Sequence, residues 1–151
     1  MKIFGRLVII MVIGFLGLLG CAGKPPVNPG VHDGRLAACP SSPNCVASQS
    51  ADEGHRIAPF TFSGDADAAF SRLKRVVGLR KDAKIIEEQA GYLRFELRTT
   101  LFVDDAEFLL DRERKLIQVR SASRLGYSDL GKNRSRMEEI RREFITSEAT
   151  P

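Results

Sequence analysis

The 151-residue chain lacks tryptophan, and it has only two tyrosines, two histidines and three cysteines. Its 13 glycines and 7 prolines are too few for a collagen-like or low-complexity chain. Hydrophobic residues make up 43% of the chain, which is too many for wholesale disorder. The length excludes a multidomain enzyme and fits one folded domain.

The N-terminal apolar run is shorter than the length that a membrane-spanning helix needs. It covers residues 7–19, about 13 residues, whereas a bilayer crossing takes about 20. Lys2 and Arg6 precede this run, and that order is typical of a bacterial export signal. We therefore expect residues 1–20 to be a signal peptide, and a permanent transmembrane anchor is the alternative.

The apolar run ends in Leu18-Leu19-Gly20-Cys21, which resembles the bacterial lipobox. A small residue at Gly20 lets a peptidase reach the bond, and the Cys21 thiol can form a thioether to diacylglycerol. Two or three acyl chains anchor a protein stably, because each buried CH₂ contributes about 0.8 kcal/mol. The alternative is a chance cysteine behind a signal that is cut elsewhere.

The residue after Cys21 predicts where an anchored chain would be sorted. Ala22, in place of aspartate, favours the periplasmic side of the outer membrane, and the periplasmic face of the inner membrane is the alternative. Removal of residues 1–20 takes away Lys2 and Arg6 and lowers the formal charge from +4 to +2. An exported chain with so small a positive excess does not suggest a nucleic-acid partner.

The segment that follows Cys21 is rich in proline and glycine. Residues 22–38 contain three of each and few large apolar side chains, so we interpret residues 21–38 as a lipidated cysteine and a tether. At about 3 Å per residue, the tether could hold the body up to roughly 50 Å from the lipid surface.

Two cysteines remain for the folded body. Cys39 and Cys45 lie close together in an oxidising compartment, and this predicts a disulfide between them. The alternatives are a redox pair or a metal site with His55. Neither has the usual pattern, because the spacing is not Cys-x-x-Cys and two thiols with one histidine leave a metal shell incomplete.

The folded body is predicted to span residues 39–147, followed by a tail over 148–151. Residues 56–62 resemble a short strand, and Pro59 places it at a sheet edge because proline cannot donate a ladder hydrogen bond.

Two helices are predicted from apolar residues at helical spacing. The first covers residues 66–77 behind a cap at Ser63 or Asp65, and the second covers residues 133–146. Alternating residues predict four strands between the helices, over 83–88, 92–100, 102–110 and 116–123. The expected fold is α+β in two layers, with the order β-α-β-β-β-β-α and an antiparallel sheet of four to five strands.

The candidate functional residues lie in two polar stretches near the end of the body. Alternation places Asp104 on the apolar face of its strand, where an acid needs a partner, and Asp105 on the opposite face. The candidate ligand-binding residues are Asp104, Asp105, Arg120, Arg124, Asp129 and Asn133.

Two interpretations of these residues are open. One is structural: an acid pairs with Arg120 or Arg124 and locks a hairpin, while Asp129 or Asn133 caps the last helix. The other is a pocket in which Arg120 and Arg124 hold an anionic ligand with help from the helix N-terminus. Acids on opposite faces cannot line one pocket, and this disfavours catalysis by paired carboxylates.

Three segments, 39–45, 102–108 and 119–134, resemble the uncharacterised family known as domain of unknown function 1499. The resemblance extends from Cys39 to Phe144. It implies a bacterial protein that is membrane-associated or lipid-anchored, with relatives in photosynthetic eukaryotes. It implies no established activity and no catalytic residues.

The sequence therefore predicts a lipid-anchored, non-enzymatic protein of the cell envelope, without a cofactor, that binds an anionic ligand, a lipid headgroup or an envelope protein. The alternative is an envelope hydrolase that uses Asp104 or Asp105 with Arg120 and Arg124. A third hypothesis, thiol redox chemistry at Cys39 and Cys45, requires a disulfide that stays reducible in the folded protein.

Overall fold

The computed structural model describes residues 23–148 of the chain. The predicted signal peptide, Cys21, Ala22 and residues 149–151 of the predicted tail lie outside the described residues. Within residues 23–148, no helix is both long and apolar enough to cross a membrane.

The described residues form eight strands and two helices. The strands are β1 (Val31–His32), β2 (Arg35–Leu36), β3 (Cys45–Ala47), β4 (Phe60–Thr61), β5 (Ala83–Gln89), β6 (Tyr92–Arg98), β7 (Val103–Asp111) and β8 (Leu116–Ser123). The helices are α1 (Ala66–Gly78), between β4 and β5, and α2 (Lys132–Thr146), after β8.

The main sheet is antiparallel and has six strands. Its order is β3-β8-β7-β6-β5, and β4 pairs with the start of β8. The predicted α+β class is confirmed, with a larger sheet than the four to five strands expected. The additional strand β3 is only three residues long, so its alternation is too brief to recognise in the sequence.

Both helices pack on one face of this sheet, which we call the inner face. The phenylalanine side chains Phe60, Phe95, Phe108 and Phe144 are completely buried between the helices and the strands. Asp65 caps α1, since its side chain accepts a hydrogen bond from the Ala68 amide at 2.8 Å. Neither of the two described helices covers the opposite, outer face of the sheet.

The predicted strand over residues 56–62 is mostly not a strand. Phe60 and Thr61 pair with Ile117 and Leu116 of β8, and Arg56 makes an isolated parallel bridge with Ala47. Pro59 has no amide hydrogen to donate, so regular pairing begins only after it.

Part of the predicted tether is folded, and the prediction for residues 21–38 needs correction there. β1 and β2 form a hairpin in which His32 pairs with Arg35, and its turn residues Asp33 and Gly34 have φ values of 50° and 74°. An Asp-Gly turn of this kind is the usual two-residue hairpin turn. The hairpin lies against the sheet, and Leu36 is buried.

Candidate functional site

Asp104 and Asp105 lie on opposite faces of β7, as their alternation predicts. Asp104 lies on the inner face with Ala106 and Phe108, while Asp105 lies on the outer face with Glu107. Both acids are 2% exposed, so each needs a partner inside the molecule.

On the outer face, Asp105 pairs with Arg124. The Arg124 guanidinium donates to the two Asp105 oxygens at 2.6 and 2.9 Å and to Glu96 at 2.7 Å. This fork-shaped contact is the geometry in which arginine binds carboxylates most strongly. The structure thus contains one of the ion pairs that the sequence predicts.

The neighbouring Arg120 pairs with Glu107, an acid that the sequence analysis did not single out. Arg120 Nη1 donates to Glu107 Oε2 at 3.0 Å, and the Tyr92 hydroxyl donates to Glu107 Oε1 at 2.8 Å. Arg120 and Glu107 face each other across β7 and β8, so strand register alone could have identified the pair.

These contacts shift several pKa values on the outer face. Hydrogen bonds from Arg124, foremost to Asp105 and then to Glu96, outweigh its burial and raise its pKa. Burial opposes ionisation of Glu96, but Arg124 and Arg98 together outweigh it and lower the Glu96 pKa. Burial and the neighbouring Glu107 raise the pKa of Tyr92.

Residues 23–36, which we call the strap, lie along this outer face. Gly23 lies so close to the sheet that a Cβ added to it would be 2.7 Å from Arg124 Cβ. The Gly30 amide donates to Glu107 at 2.7 Å. The charges of Arg120 and Arg124 are therefore compensated by acids, and the strap covers part of that face.

On the inner face, Asp104 pairs with Arg136 of α2. Arg136 Nη1 donates to Asp104 Oδ2, and the two side chains are 1% and 3% exposed, in that order. Sequence analysis missed Arg136. The signal was available, because Arg136 falls between the buried residues Asn133 and Ile140 on the helical stripe that faces the sheet.

Asp129 and Asn133 fix the beginning of α2. The Asp129 carboxylate accepts hydrogen bonds from the amides of Gly131 and Asn133 at 2.9 and 2.8 Å. The fully buried Asn133 side chain donates to the Asn44 carbonyl of the segment before β3 and to the Ser123 hydroxyl. Asp129 therefore bonds amides at the start of α2, but the N-cap residue is Gly131, without a side-chain cap hydrogen bond, so neither Asp129 nor Asn133 is the cap that the structural interpretation expects.

A cleft of about 540 Å³ opens beside Asp104. It lies between the β6–β7 turn and the loop from β8 to α2. Its walls include Thr99, Phe102, Asp104, Leu125, Leu130 and Lys132. Within residues 23–148, Asp104 Oδ1 is buried and receives no hydrogen bond. Asp104 lines this cleft, and among the described residues both its Oδ1 and the Nη2 of its partner Arg136 are buried without a hydrogen-bond partner.

The predicted disulfide between Cys39 and Cys45 is confirmed, with an S–S distance of 2.02 Å. His55 lies near this loop, where its Nε2 is 3.1 Å from the Ser42 carbonyl and can donate to it. Across the described residues, no group of three or more histidine, cysteine, aspartate or glutamate side chains is placed to hold a metal ion.

The sequence model of a family described as "Protein of unknown function (DUF1499)" matches residues 35–144. The chain belongs to the DUF1499 family. The match runs from β2 into the last turns of α2, so it includes the second strand of the hairpin, Asp104 and the cleft. No curated protein and no solved structure matches the chain.

In this DUF1499 domain, the acids do not converge as a paired-carboxylate hydrolase requires. The sheet itself lies between Asp104 and Asp105. The second acid of the cleft, Asp129, is occupied by the amides of α2. Asp104 and Asp129, the two acids at the cleft, are thus engaged by Arg136 and by the amides of α2 and are not arranged as a free carboxylate pair.

Proposed function

We propose that this DUF1499 protein is a lipid-anchored, non-enzymatic binding domain of the cell envelope, whose cleft beside Asp104 receives an amphipathic ligand. The observation that carries the proposal is Asp104 Oδ1, which is buried and lacks a donor within residues 23–148. An acceptor of this kind is stabilised when a ligand donates a hydrogen bond to it.

The walls of the cleft define the class of ligand. Phe102, Leu125 and Leu130 offer apolar surface to an alkyl chain, and Asp104 accepts from a hydroxyl or an ammonium group. Lys132 is exposed at the same cleft and attracts an anionic group such as a phosphate. A phospholipid whose headgroup carries N–H or O–H donors meets all three requirements.

The cleft is a different binding site from the anion site that the sequence predicts around Arg120 and Arg124. Those two guanidinium groups already pair with Glu107, Asp105 and Glu96. An anionic ligand would have to displace buried acids and the strap above them, which costs several kcal/mol per charge left unpaired. Asp104 and Asp129 of the predicted set do lie at the cleft.

The ligand proposal is tested with the full-length protein in nonionic detergent. Short-chain phosphatidylethanolamine is titrated while backbone amide signals are followed by NMR. Shifts that concentrate at Ser123, Leu125 and Leu130 support the cleft. Shifts that concentrate around Arg120 on the outer face would instead support the anion site, and no saturable shift would refute both.

The anchor is proposed on Cys21 and the lipobox-like residues before it. Its test is metabolic labelling with radioactive palmitate, with Cys21→Ala as the comparison. We expect the wild type to carry label and to sediment with membranes, and the variant to lose the label. Equal labelling of both proteins would refute lipidation at this cysteine.

The outer membrane is the proposed destination, on the basis of Ala22. Sucrose-gradient separation of the two membranes tests it, with Ala22→Asp as the matched variant. The wild type should follow outer-membrane markers, and the variant should move toward inner-membrane fractions. Wild-type protein in the inner-membrane fractions would refute the proposed outer-membrane location. It would not affect the proposal that Cys21 carries the lipid.

A further inference from the structure

Exposed apolar side chains concentrate at one end of the main sheet. The described residues expose ten large apolar side chains, and five of them lie in two loops. These five, which we call the rim, are Leu101, Phe102, Leu125, Tyr127 and Leu130. An exposed apolar cluster of this kind marks an interaction surface more often than chance.

The two loops meet because β6, β7 and β8 are antiparallel neighbours. Arg98 pairs with Val103 across the first turn, and Asp104 pairs with Ser123 immediately before the second loop. Phe102, Leu125 and Leu130 consequently line one cleft although they are far apart in sequence. Three of the five rim residues therefore line the cleft beside Asp104, and Leu101 and Tyr127 are their neighbours in sequence in the same two loops.

The strap brings the N-terminal end of the described chain to the same place. A Cβ on Gly23 would be 2.9 Å from Leu125 Cγ, so the backbone there touches the rim. Cys21 is two residues upstream, and two residues span at most about 7 Å. A lipid attached to Cys21, as proposed above, would therefore be tethered two residues from Gly23, whose backbone contacts Leu125.

The strap is held by contacts that a free spacer would lack. Gly30 donates to Glu107, and the Leu36 amide donates to the Gln49 side chain at 2.9 Å. These contacts hold residues 30–36 on the body. Residues 30–36 therefore cannot act as part of an extended tether. The folded body then cannot lie roughly 50 Å from the lipid surface, as a fully extended tether would allow.

We propose that the folded body docks directly on the bilayer through its rim, with the mouth of the cleft facing the lipid. This inference rests on the anchor proposed at Cys21, and it deepens the proposed function because the ligand then enters from the membrane. The bilayer is the occupant because the anchored end of the chain emerges at the rim itself. Lys24 and Lys132 are exposed beside the rim and face anionic headgroups in this orientation.

The chain lacks tryptophan, so the tryptophan fluorescence of a variant with one introduced tryptophan comes from that position alone. This allows a direct test of docking. Phe102→Trp places it in the rim, and Ile145→Trp places it in the last turn of α2, at the opposite end of that helix. The two native side chains have similar exposure, 48% and 53%. Leu130→Trp is a second rim probe, in the other loop.

The full-length variants are reconstituted into vesicles of phosphatidylethanolamine and phosphatidylglycerol with brominated acyl chains, and flotation is checked first. We expect the brominated lipids to quench about half or more of the tryptophan fluorescence of both rim variants. The fluorescence of Ile145→Trp should change little. If the protein floats with the vesicles but the rim tryptophans are not quenched, or all three tryptophans are quenched equally, docking is refuted. The proposed lipid anchor is not affected by that result. If the protein does not float, the anchor itself is refuted and docking with it.

Discussion

Asp104 of β7 and Arg136 of α2 form an ion pair that joins the sheet to the last helix inside the molecule. Asp104 is also a lining residue of the cleft, and its second oxygen is buried and lacks a donor among the described residues. One carboxylate thus has two roles in this account: it fixes the position of α2, and it presents an acceptor to a ligand.

Arg136→Met should destabilise the protein strongly. The substitution leaves Asp104 buried without its partner, and removing one partner of a buried pair costs about 3–5 kcal/mol. Arg112→Met is the control, because the Arg112–Asp67 pair is exposed and such pairs contribute about 0–1 kcal/mol. Urea unfolding measures the free energy of unfolding of both variants. A similar decrease in the two would show that the buried pair stabilises the protein no more than the exposed pair does.

The Glu96–Arg124 pair should make stability depend on pH in the acidic range. The pKa of Glu96 is lower in the folded state than its ordinary value of 4.5, so its contribution is fully present above that pH. The contribution is lost as the pH falls through the folded-state pKa, when Glu96 becomes protonated. Arg124→Met should therefore destabilise the protein more at pH 7 than at pH 3.

Unfolding of the wild type and Arg124→Met between pH 3 and pH 7 measures this difference. In a Glu96→Gln background, the same substitution should show a weaker dependence on pH. An undiminished dependence in that background would show that Glu96 is not its source.

Gly23→Ala should detach the start of the strap from the outer face. Gly23 has a φ of 66° and would bring its new Cβ against Arg124 and Leu125. Gly64→Ala is the matched control, since Gly64 has a φ of 73° with nothing within 4 Å of its added Cβ. Both changes strain the backbone by about 1 kcal/mol or more, but only the first adds a clash.

Hydrogen exchange at the Gly30 amide distinguishes the two glycine variants, because that amide donates to Glu107 beneath the strap. Protection should fall in Gly23→Ala and persist in Gly64→Ala. Unchanged protection in both would mean that Gly23 does not hold the strap in place.

Removal of the disulfide with Cys39→Ala and Cys45→Ala should cost about 2 kcal/mol, because the closed loop is short. Cys45 is buried at the start of β3, so the bond should resist dithiothreitol until the protein unfolds. Thiol labelling against denaturant concentration measures this resistance. Rapid reduction of the folded protein would favour the redox hypothesis instead.

Regular periodicity accounts for the parts of the fold that the sequence predicts well. The stripe of Phe70, Leu73 and Val77 identifies α1, and strict alternation over β6 separates its two faces. Alternation also places Asp104 and Asp105 on opposite sides of β7. These signals are local, so they need no knowledge of which strands pair.

The parts that sequence reasoning missed depend on distant residues or on very short elements. Arg136 was overlooked because its partner Asp104 is 32 positions away. The prolines and glycines of the strap predict a flexible tether, but Asp33-Gly34 is also a hairpin signal, and the hairpin is what forms. The cleft is assembled from two loops that only the strand order brings together.

The proposed function requires the Asp104 carboxylate to accept a hydrogen bond from a ligand in the cleft. The affinity of the full-length protein for short-chain phosphatidylethanolamine, compared with phosphatidylcholine, tests this requirement. Both headgroups are cationic at nitrogen, but only the first has N–H donors. Asp105→Asn is the control for Asp104→Asn, since it is the same change at an equally buried neighbour on the opposite face.

We predict that the wild type and Asp105→Asn bind phosphatidylethanolamine about tenfold more tightly than phosphatidylcholine, as one hydrogen bond to a charged group would provide. Asp104→Asn should lose most of this preference when it is measured below its unfolding midpoint, which falls because Arg136 loses its charged partner. Equal affinity of the wild type for the two lipids, or an unchanged preference in folded Asp104→Asn, would contradict this role of Asp104.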